Sequence, residues 1–250
     1  MRRRASLAAA PLLVFGATAC SGAFGMPRGA TEQGRDVFDL WQTFFVAAVA
    51  VAALVYGLIA WSLIRYRRRR SDDAEALGAP FRERRGLEAV YVAIPLVIVV
   101  ALFTLSFRTG QRVDDLDPDP GVRVHVEAFA WGWRFSYPDL DLTVVSEPSG
   151  PGVDGPELVL PIDETARIEL VSNDVIHAFW VPGFLFKRDA IPGVIQTFDV
   201  TPTEAGVFQG ACSEFCGLNH AYMRFTVRVV PSTEFDAWAS ERAGASGAAA

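Results

Sequence analysis

Two stretches decide what this chain can become. Leu40–Ile64, LWQTFFVAAVAVAALVYGLIAWSLI, carries no charge in twenty-five residues, and Ala89–Phe107, AVYVAIPLVIVVALFTLSF, carries none in nineteen. A bilayer core of ~30 Å takes about twenty helical residues to cross, and inside lipid a lone segment satisfies its backbone only as a helix. Both stretches are therefore expected to span a membrane, with Pro95 tolerated in the second because membrane helices accommodate proline. A pair of buried core helices is the alternative. The intervening loop holds Arg65, Arg67, Arg68, Arg69, Arg70, Arg82, Arg84 and Arg85 against Asp72, Asp73, Glu75 and Glu83. The positive-inside rule places that loop in the cytoplasm and everything after Phe107 outside the cell membrane.

The N-terminus agrees with this orientation. MRRRASLAAAPLLVFGATAC has three arginines, an apolar run and small residues before a cysteine, the layout of an export signal, which is excluded from fold reasoning. It makes Cys20 a candidate for acylation as a lipoprotein N-terminus, the alternative being an uncleaved anchor with an idle thiol. The expected organisation is a signal over 1–19, an external segment over 20–39 and a first span over 40–64. A basic cytoplasmic loop over 65–86, a second span over 87–108 and a linker over 109–120 follow. The external domain covers 121–232, and a short helix with a disordered GASGAAA tail covers 233–250.

Charge divides along the same line. From residue 110 onward nine Lys and Arg stand against twenty-one Asp and Glu, a net of −12, whereas the preceding part has fourteen against eight, a net of +6. An acidic external domain argues against nucleic acid and favours a basic partner steered in from outside. Solubility alone is the bland explanation.

Beyond the proline-punctuated GQRVDDLDPDP, polar and apolar residues alternate. Val122, Val124, Val126 and Ala128 interleave with Arg123, His125 and Glu127, the period of a strand with one buried face, which leaves His125 facing solvent. ELVLPI, ARIELVS, IQTFDVT, GVFQGAC and MRFTVRVV read similarly, so the domain is expected to be an all-β sandwich or barrel. Trp131, Trp133, Phe135 and Tyr137 fall at alternate positions and are expected on one strand face, with Phe135 and Tyr137 in an aromatic core.

The chain spends two of its three cysteines, one of three histidines and one of three methionines in Cys212–Met223, CSEFCGLNHAYM. A helical core stripe would fit the spacing, but Gly217 and Asn219 interrupt it and strand-like runs flank it. A structural disulfide is allowed outside the cell, yet leaves His220 and Met223 unexplained. A metal site explains all four residues. Thiolate, imidazole and thioether together favour copper, and zinc rarely wants a methionine. A loop donor set usually needs another residue from a distant strand. His177, in the apolar SNDVIHAFWVPGF, reads by default as a core histidine and becomes a candidate only beside such a loop.

DVIHAFWVPGFLFKRDAIPG followed by CSEFCGLNHAYM, on an exported β-domain behind a two-helix hairpin, resembles the cytochrome c oxidase subunit 2 family over nearly the whole chain after the signal. The resemblance implies a two-helix transmembrane hairpin carrying a cupredoxin-like Greek-key sandwich with a dinuclear copper centre, CuA. It implies that Cys212 and Cys216 bridge two coppers and that His177 and His220 each complete one. Met223 and the backbone carbonyl of Glu214 become weak outer ligands, with apolar neighbours Phe179, Trp180 and Phe215 limiting rearrangement. The Glu214 carboxylate would help bind Mg where this subunit meets the catalytic one, with Asp189 supporting the same contact. Trp131 would be the exposed port for electrons from cytochrome c, although Ala130 and Gly132 depart from the Gln and aromatic common around it. Glu88 would form the cytoplasmic mouth of a proton path, though a carboxylate there also suits the helix dipole.

The function so implied is that of an electron-transfer subunit. It takes single electrons from a cytochrome c and passes them to heme in a separate subunit that reduces dioxygen and pumps protons. No C-x-x-C-H sequence is present, so the donor heme is not built into this chain. A copper-free structural subunit of a quinol oxidase would lack these donors, and a nitrous oxide reductase needs a second large domain. A membrane-anchored copper carrier or assembly factor shares the ligand chemistry.

Overall fold

The computed structural model describes residues 25–67, 83–145, 150–152 and 155–247. The export signal, Cys20 and Arg68–Arg70, Asp72, Asp73, Glu75 and Arg82 of the basic loop lie outside the described residues. Two compact units result, one of residues 39–110 and one combining the N-terminal segment with everything from Gln111 onward.

The first unit is the hairpin. Helix α1 runs Glu32–Arg65 and α2 runs Arg85–Asp114, with Pro95 inside α2 and Glu88 in its first turn. Their most apolar windows are entirely unburied within the chain, an arrangement that suits lipid and not water. Some hydroxyls on the spans are satisfied within their own helix. Thr104 Oγ1 donates to the Val100 carbonyl at 2.8 Å and Ser106 Oγ to Leu102 at 2.9 Å, so neither presents an unpaired group to the hydrocarbon. Both helices outrun their apolar runs. In particular Gly110–Asp114, expected as linker, is helical, because backbone hydrogen bonding does not require apolar side chains and no proline intervenes before Pro118.

The second unit is a two-layer sandwich. Its strands are β1 (Val122–Phe129), β2 (Gly132–Tyr137), β3 (Leu142–Val145), β4 (Glu157–Pro161), β5 (Ala166–Ser172), β6 (His177–Val181), β7 (Phe186–Ala190), β8 (Gln196–Val200), β9 (Gly206–Cys212) and β10 (Arg224–Val230). One sheet has the order β3-β2-β1-β5-β8 and the other β4-β10-β9-β6-β7. The β1–β5 and β4–β10 pairs are parallel, and the chain crosses repeatedly between the layers, as in a cupredoxin-like sandwich. Helix α3 (Ser232–Gly247) closes one end and continues into the stretch expected to be a disordered tail.

Val122, Val124, Val126 and Ala128 are all buried, as their alternation requires. His125 lies on the opposite, outward face, half-buried, with Nδ1 3.7 Å from Glu169 Oε2 on the neighbouring strand. Trp133, Phe135 and Tyr137 form the inner face of β2, and the rings of Trp133 and Phe225 lie 5.0 Å apart, those of Phe179 and Phe225 4.8 Å. Trp131 does not share that face. It sits in the β1–β2 turn, because the chain reverses at Ala130–Trp131 before β2 begins.

Tyr137 ties the layers together. Its hydroxyl donates to the Val159 carbonyl at 3.0 Å and accepts from the Val159 N–H at 2.9 Å, and burial pushes its phenol well above the ordinary range, so it stays protonated. Phe235 and Trp238 of α3 cover it. Tyr137→Phe keeps the ring but strands two buried backbone groups, a cost of about 1–3 kcal/mol. A lowered thermal midpoint of the detergent-solubilised chain, with unchanged secondary structure, is the expected result.

The N-terminal segment belongs to this unit. The Ala30 N–H donates to the Gly183 carbonyl at 2.9 Å, Thr203 N–H to Ala30 at 2.8 Å and Glu32 N–H to Thr201 at 3.0 Å. Thr31 caps α1 by accepting the Gly34 N–H at 2.9 Å, which satisfies one of the helix's orphan donors.

Candidate metal centre

Strand pairing brings the distant histidine to the loop. β6 begins at His177 and β9 ends at Cys212, and the two run antiparallel with Phe179 opposite Cys212. The loop Ser213–Met223 is closed by the Cys212 N–H donating to the Met223 carbonyl at 2.9 Å and pinned to β6 by Ser213 N–H to Ala178 at 3.3 Å. It contains a 3-10 turn over His220–Tyr222, so the helical stripe is not what forms.

The soft atoms converge. Cys212 Sγ lies 3.8 Å from His177 Nδ1, 3.2 Å from the Glu214 carbonyl and 3.8 Å from Cys216 Sγ. Cys216 Sγ in turn lies 3.5 Å from His220 Nδ1 and 3.8 Å from Met223 Sδ. The His177, Cys212 and Cys216 donor atoms all fall within 4.8 Å of one another. Both thiols are free, at nearly twice the ~2.05 Å of a disulfide bond. Two thiols, two imidazoles, a thioether and a carbonyl form a set whose softness fits copper.

Water is excluded unevenly. His177, Cys212, Cys216 and Met223 are buried and His220 is half-buried. Phe179 is buried beneath, but Phe215 is 81% exposed and Leu218 86%. Phe215, expected as an apolar neighbour of the donors, keeps its ring 5.7 Å from that of His220 while facing solvent. Val175, Ile176 and Trp180, near His177 in sequence, are exposed as well.

Ionisation follows the contacts. Burial pushes the Cys216 thiol up to about 12, with the neighbouring Cys212 adding to the effect. Burial opposes a Cys212 thiolate too, but hydrogen bonds from His177 and its surroundings outweigh it and bring Cys212 down to about 7. His177 is likewise held above its ordinary value: burial disfavours the charged ring, while Cys212 and Asp174 favour it more.

Asp174 is the residue that sequence reading missed. Its Oδ1 lies 2.8 Å from His177 Nε2, on the side of the ring away from the thiols. An acidic residue three positions ahead of a candidate histidine was the available signal.

Trp131 also differs from expectation. It is half-buried instead of openly exposed, and its indole Nε1–H donates to the Cys216 carbonyl at 3.0 Å. Gly217 makes room for it. Its φ of +115° disfavours any side chain, and a Cβ there would lie 3.1 Å from the Trp131 ring.

Away from the thiols, the Glu214 carboxylate is engaged by Lys187 Nζ at 3.2 Å, and the same ammonium lies 3.4 Å from Asp189 Oδ1. The three form a chain of alternating charge behind the donor cluster. Glu88, in the first turn of α2, belongs to the other unit.

Residues 151–230 match the family described as cytochrome C oxidase subunit II, periplasmic domain, and residues 19–109 match its transmembrane domain. The "Probable cytochrome c oxidase subunit 2" of Streptomyces avermitilis is 36% identical over 269 residues, covering 92% of this chain and 84% of that protein. Cytochrome c oxidase subunit 2 of Mycobacterium tuberculosis is 29% identical over 272 residues, covering 87% and 74%. Among solved structures, the periplasmic domain of subunit II of cytochrome oxidase of Bradyrhizobium japonicum is similar, with 32% identity and a TM-score of 0.45, covering 51% of this chain and 96% of that one.

Proposed function

The chain belongs to the cytochrome c oxidase subunit II family, two-span membrane proteins with an external domain, and from that premise we propose that it is the electron-transfer subunit built around a pair of copper ions. Cys212 and Cys216 would bridge the pair, His177 and His220 would each complete one ion, and Met223 with the Glu214 carbonyl would be weak outer donors. The observation that carries the reading is the convergence of these soft atoms around two free thiols 3.8 Å apart. Bound there, the pair supplies a one-electron carrier whose charge is spread over two metals and two sulfurs.

The chain's own residues do the rest. Antiparallel β6 and β9 hold His177 against Cys212, so few atoms need move when charge changes. Trp131, half-buried, donates to the Cys216 carbonyl, and this bond to the donor loop would suit it to pass electrons from a cytochrome c. The acidic external domain would draw a basic donor, an attraction that weakens with salt. Electrons would leave to heme in a catalytic subunit that reduces dioxygen and pumps protons, with Glu88 at the cytoplasmic mouth of a proton path. The test is copper analysis and electron paramagnetic resonance on the full chain in detergent. Two coppers per chain with a mixed-valence signal support the reading, and one copper or none overturns it.

The same proposal gives the Glu214 carboxylate to a Mg ion shared with the catalytic subunit, supported by Asp189. Lys187 holds that carboxylate here, so a divalent cation must displace an ammonium. Glu214→Gln is expected to lose the signal of Mn substituted for Mg in the assembled oxidase. The copper signal should survive, since copper would use the backbone carbonyl. Loss of both signals together would contradict the division of labour.

A further inference from the structure

We propose that Asp174 is a positioning residue for His177, fixing which ring nitrogen faces the thiols and tying the ring to the Ala130–Trp131 turn; this rests on the copper reading above. A neutral imidazole carries one N–H, and a metal needs the other nitrogen's lone pair. His177 presents Nδ1 to Cys212 and Nε2 to Asp174 Oδ1, at 3.8 and 2.8 Å. A carboxylate at Nε2 holds the proton there and leaves Nδ1 free. That is the tautomer the site requires.

The carboxylate is itself held. Its Oδ1 also accepts the Val175 N–H at 2.6 Å and its Oδ2 accepts the Ala130 N–H at 2.6 Å. The adjacent Trp131 donates to the Cys216 carbonyl. One turn between β1 and β2 therefore grips both sides of the donor set, through Asp174 on the His177 side and through the indole on the Cys216 side. His220 has no such support. Its Nδ1 faces Cys216 and its ring meets the edge of Phe215, and among the described residues no carboxylate bonds it. The two histidines are thus unequal. A carboxylate behind a ligand imidazole makes it a stronger donor, which stabilises the oxidised centre and lowers its potential.

A control lies next door. Asn173 fastens the same loop through its N–H to the Ala128 carbonyl at 2.9 Å and its Nδ2–H to Glu127 Oε1 at 3.1 Å, without touching the ring. Asp174→Asn, Asp174→Ala and Asn173→Ala are made in the full chain, loaded with copper in detergent, and compared for copper affinity and midpoint potential. Asp174→Asn, which keeps the shape and one oxygen, should still bind two coppers. Its equilibrium with a one-electron donor should shift about tenfold toward reduction, about 59 mV upward. Copper affinity should fall by about 10- to 100-fold, most in Asp174→Ala. Asn173→Ala should lower the thermal midpoint and leave potential and affinity as in wild type. Wild-type potential and affinity in Asp174→Asn, or an equal shift in Asn173→Ala, overturns the proposal while the copper reading stands. A wild-type chain that takes up no copper pair overturns that reading and this one with it.

Discussion

Cys216→Ser is expected to abolish the two-copper centre outright. Among the donors, Cys216 is the joint. Its sulfur touches Cys212, which connects to His177 and the Glu214 carbonyl, and it also touches His220 and Met223. Without that sulfur the set falls into two halves, each with too few soft atoms for a shared pair. A serine hydroxyl is harder than a thiolate and stays protonated, so it replaces neither the charge nor the bridge. The metal-free fold should survive. Sulfur and oxygen occupy similar space, and burying a hydroxyl costs about 1–3 kcal/mol. The measurement is copper per chain and the electron paramagnetic resonance spectrum of the loaded full chain, alongside its metal-free thermal midpoint. A mixed-valence signal retained in the folded variant would remove Cys216 from the bridge.

The sequence was most readable where chemistry was rare or the period clean. β1, β5, β9 and β10 announced themselves by alternation, because each has one face in the core and one turned outward. β6 did not, since every residue but Trp180 is buried and a strand covered on both faces has no period. β7, FKRDA, was hidden by its polar residues at the edge of its sheet. The candidate metal donors of the loop stood out because cysteine, histidine and methionine are scarce here and gathered in one stretch. Trp131 was misplaced by the same rule that placed Trp133 correctly: period two continues on paper through a turn, whereas the chain does not. Asp174 stayed invisible because a loop carboxylate is common, and only the fold brings it 2.8 Å from an imidazole.

Copper loading should depend steeply on pH, with a change of slope near neutrality. Cys212 is brought from an ordinary 9.0 to about 7, so its contribution to the metal-free fold is present above 9.0 and lost as pH falls through about 7. Cys216 is raised from 9.0 to about 12, so its contribution is complete below 9.0 and is lost as pH rises from 9.0 through about 12. The metal-free site between about pH 7 and 9 therefore carries one thiolate and one thiol. Bridging needs both ionised, so each loading event releases the Cys216 proton, and affinity should rise about tenfold per pH unit. Below about 7 the Cys212 proton must leave as well, and the slope should steepen to about a hundredfold per unit, with His177 adding its own proton where it is charged. Competition against a chelator of known pH dependence measures this directly. A flat profile between about pH 7 and 9 would mean that Cys216 meets the metal already ionised, and burial would then not govern that thiol. Cys216→Ser cannot mimic the steep limb, because it has no thiol proton to release. Asp174→Asn should keep the limb above neutrality, since burial, not the Asp174 charge, is the largest cause holding the Cys216 thiol up.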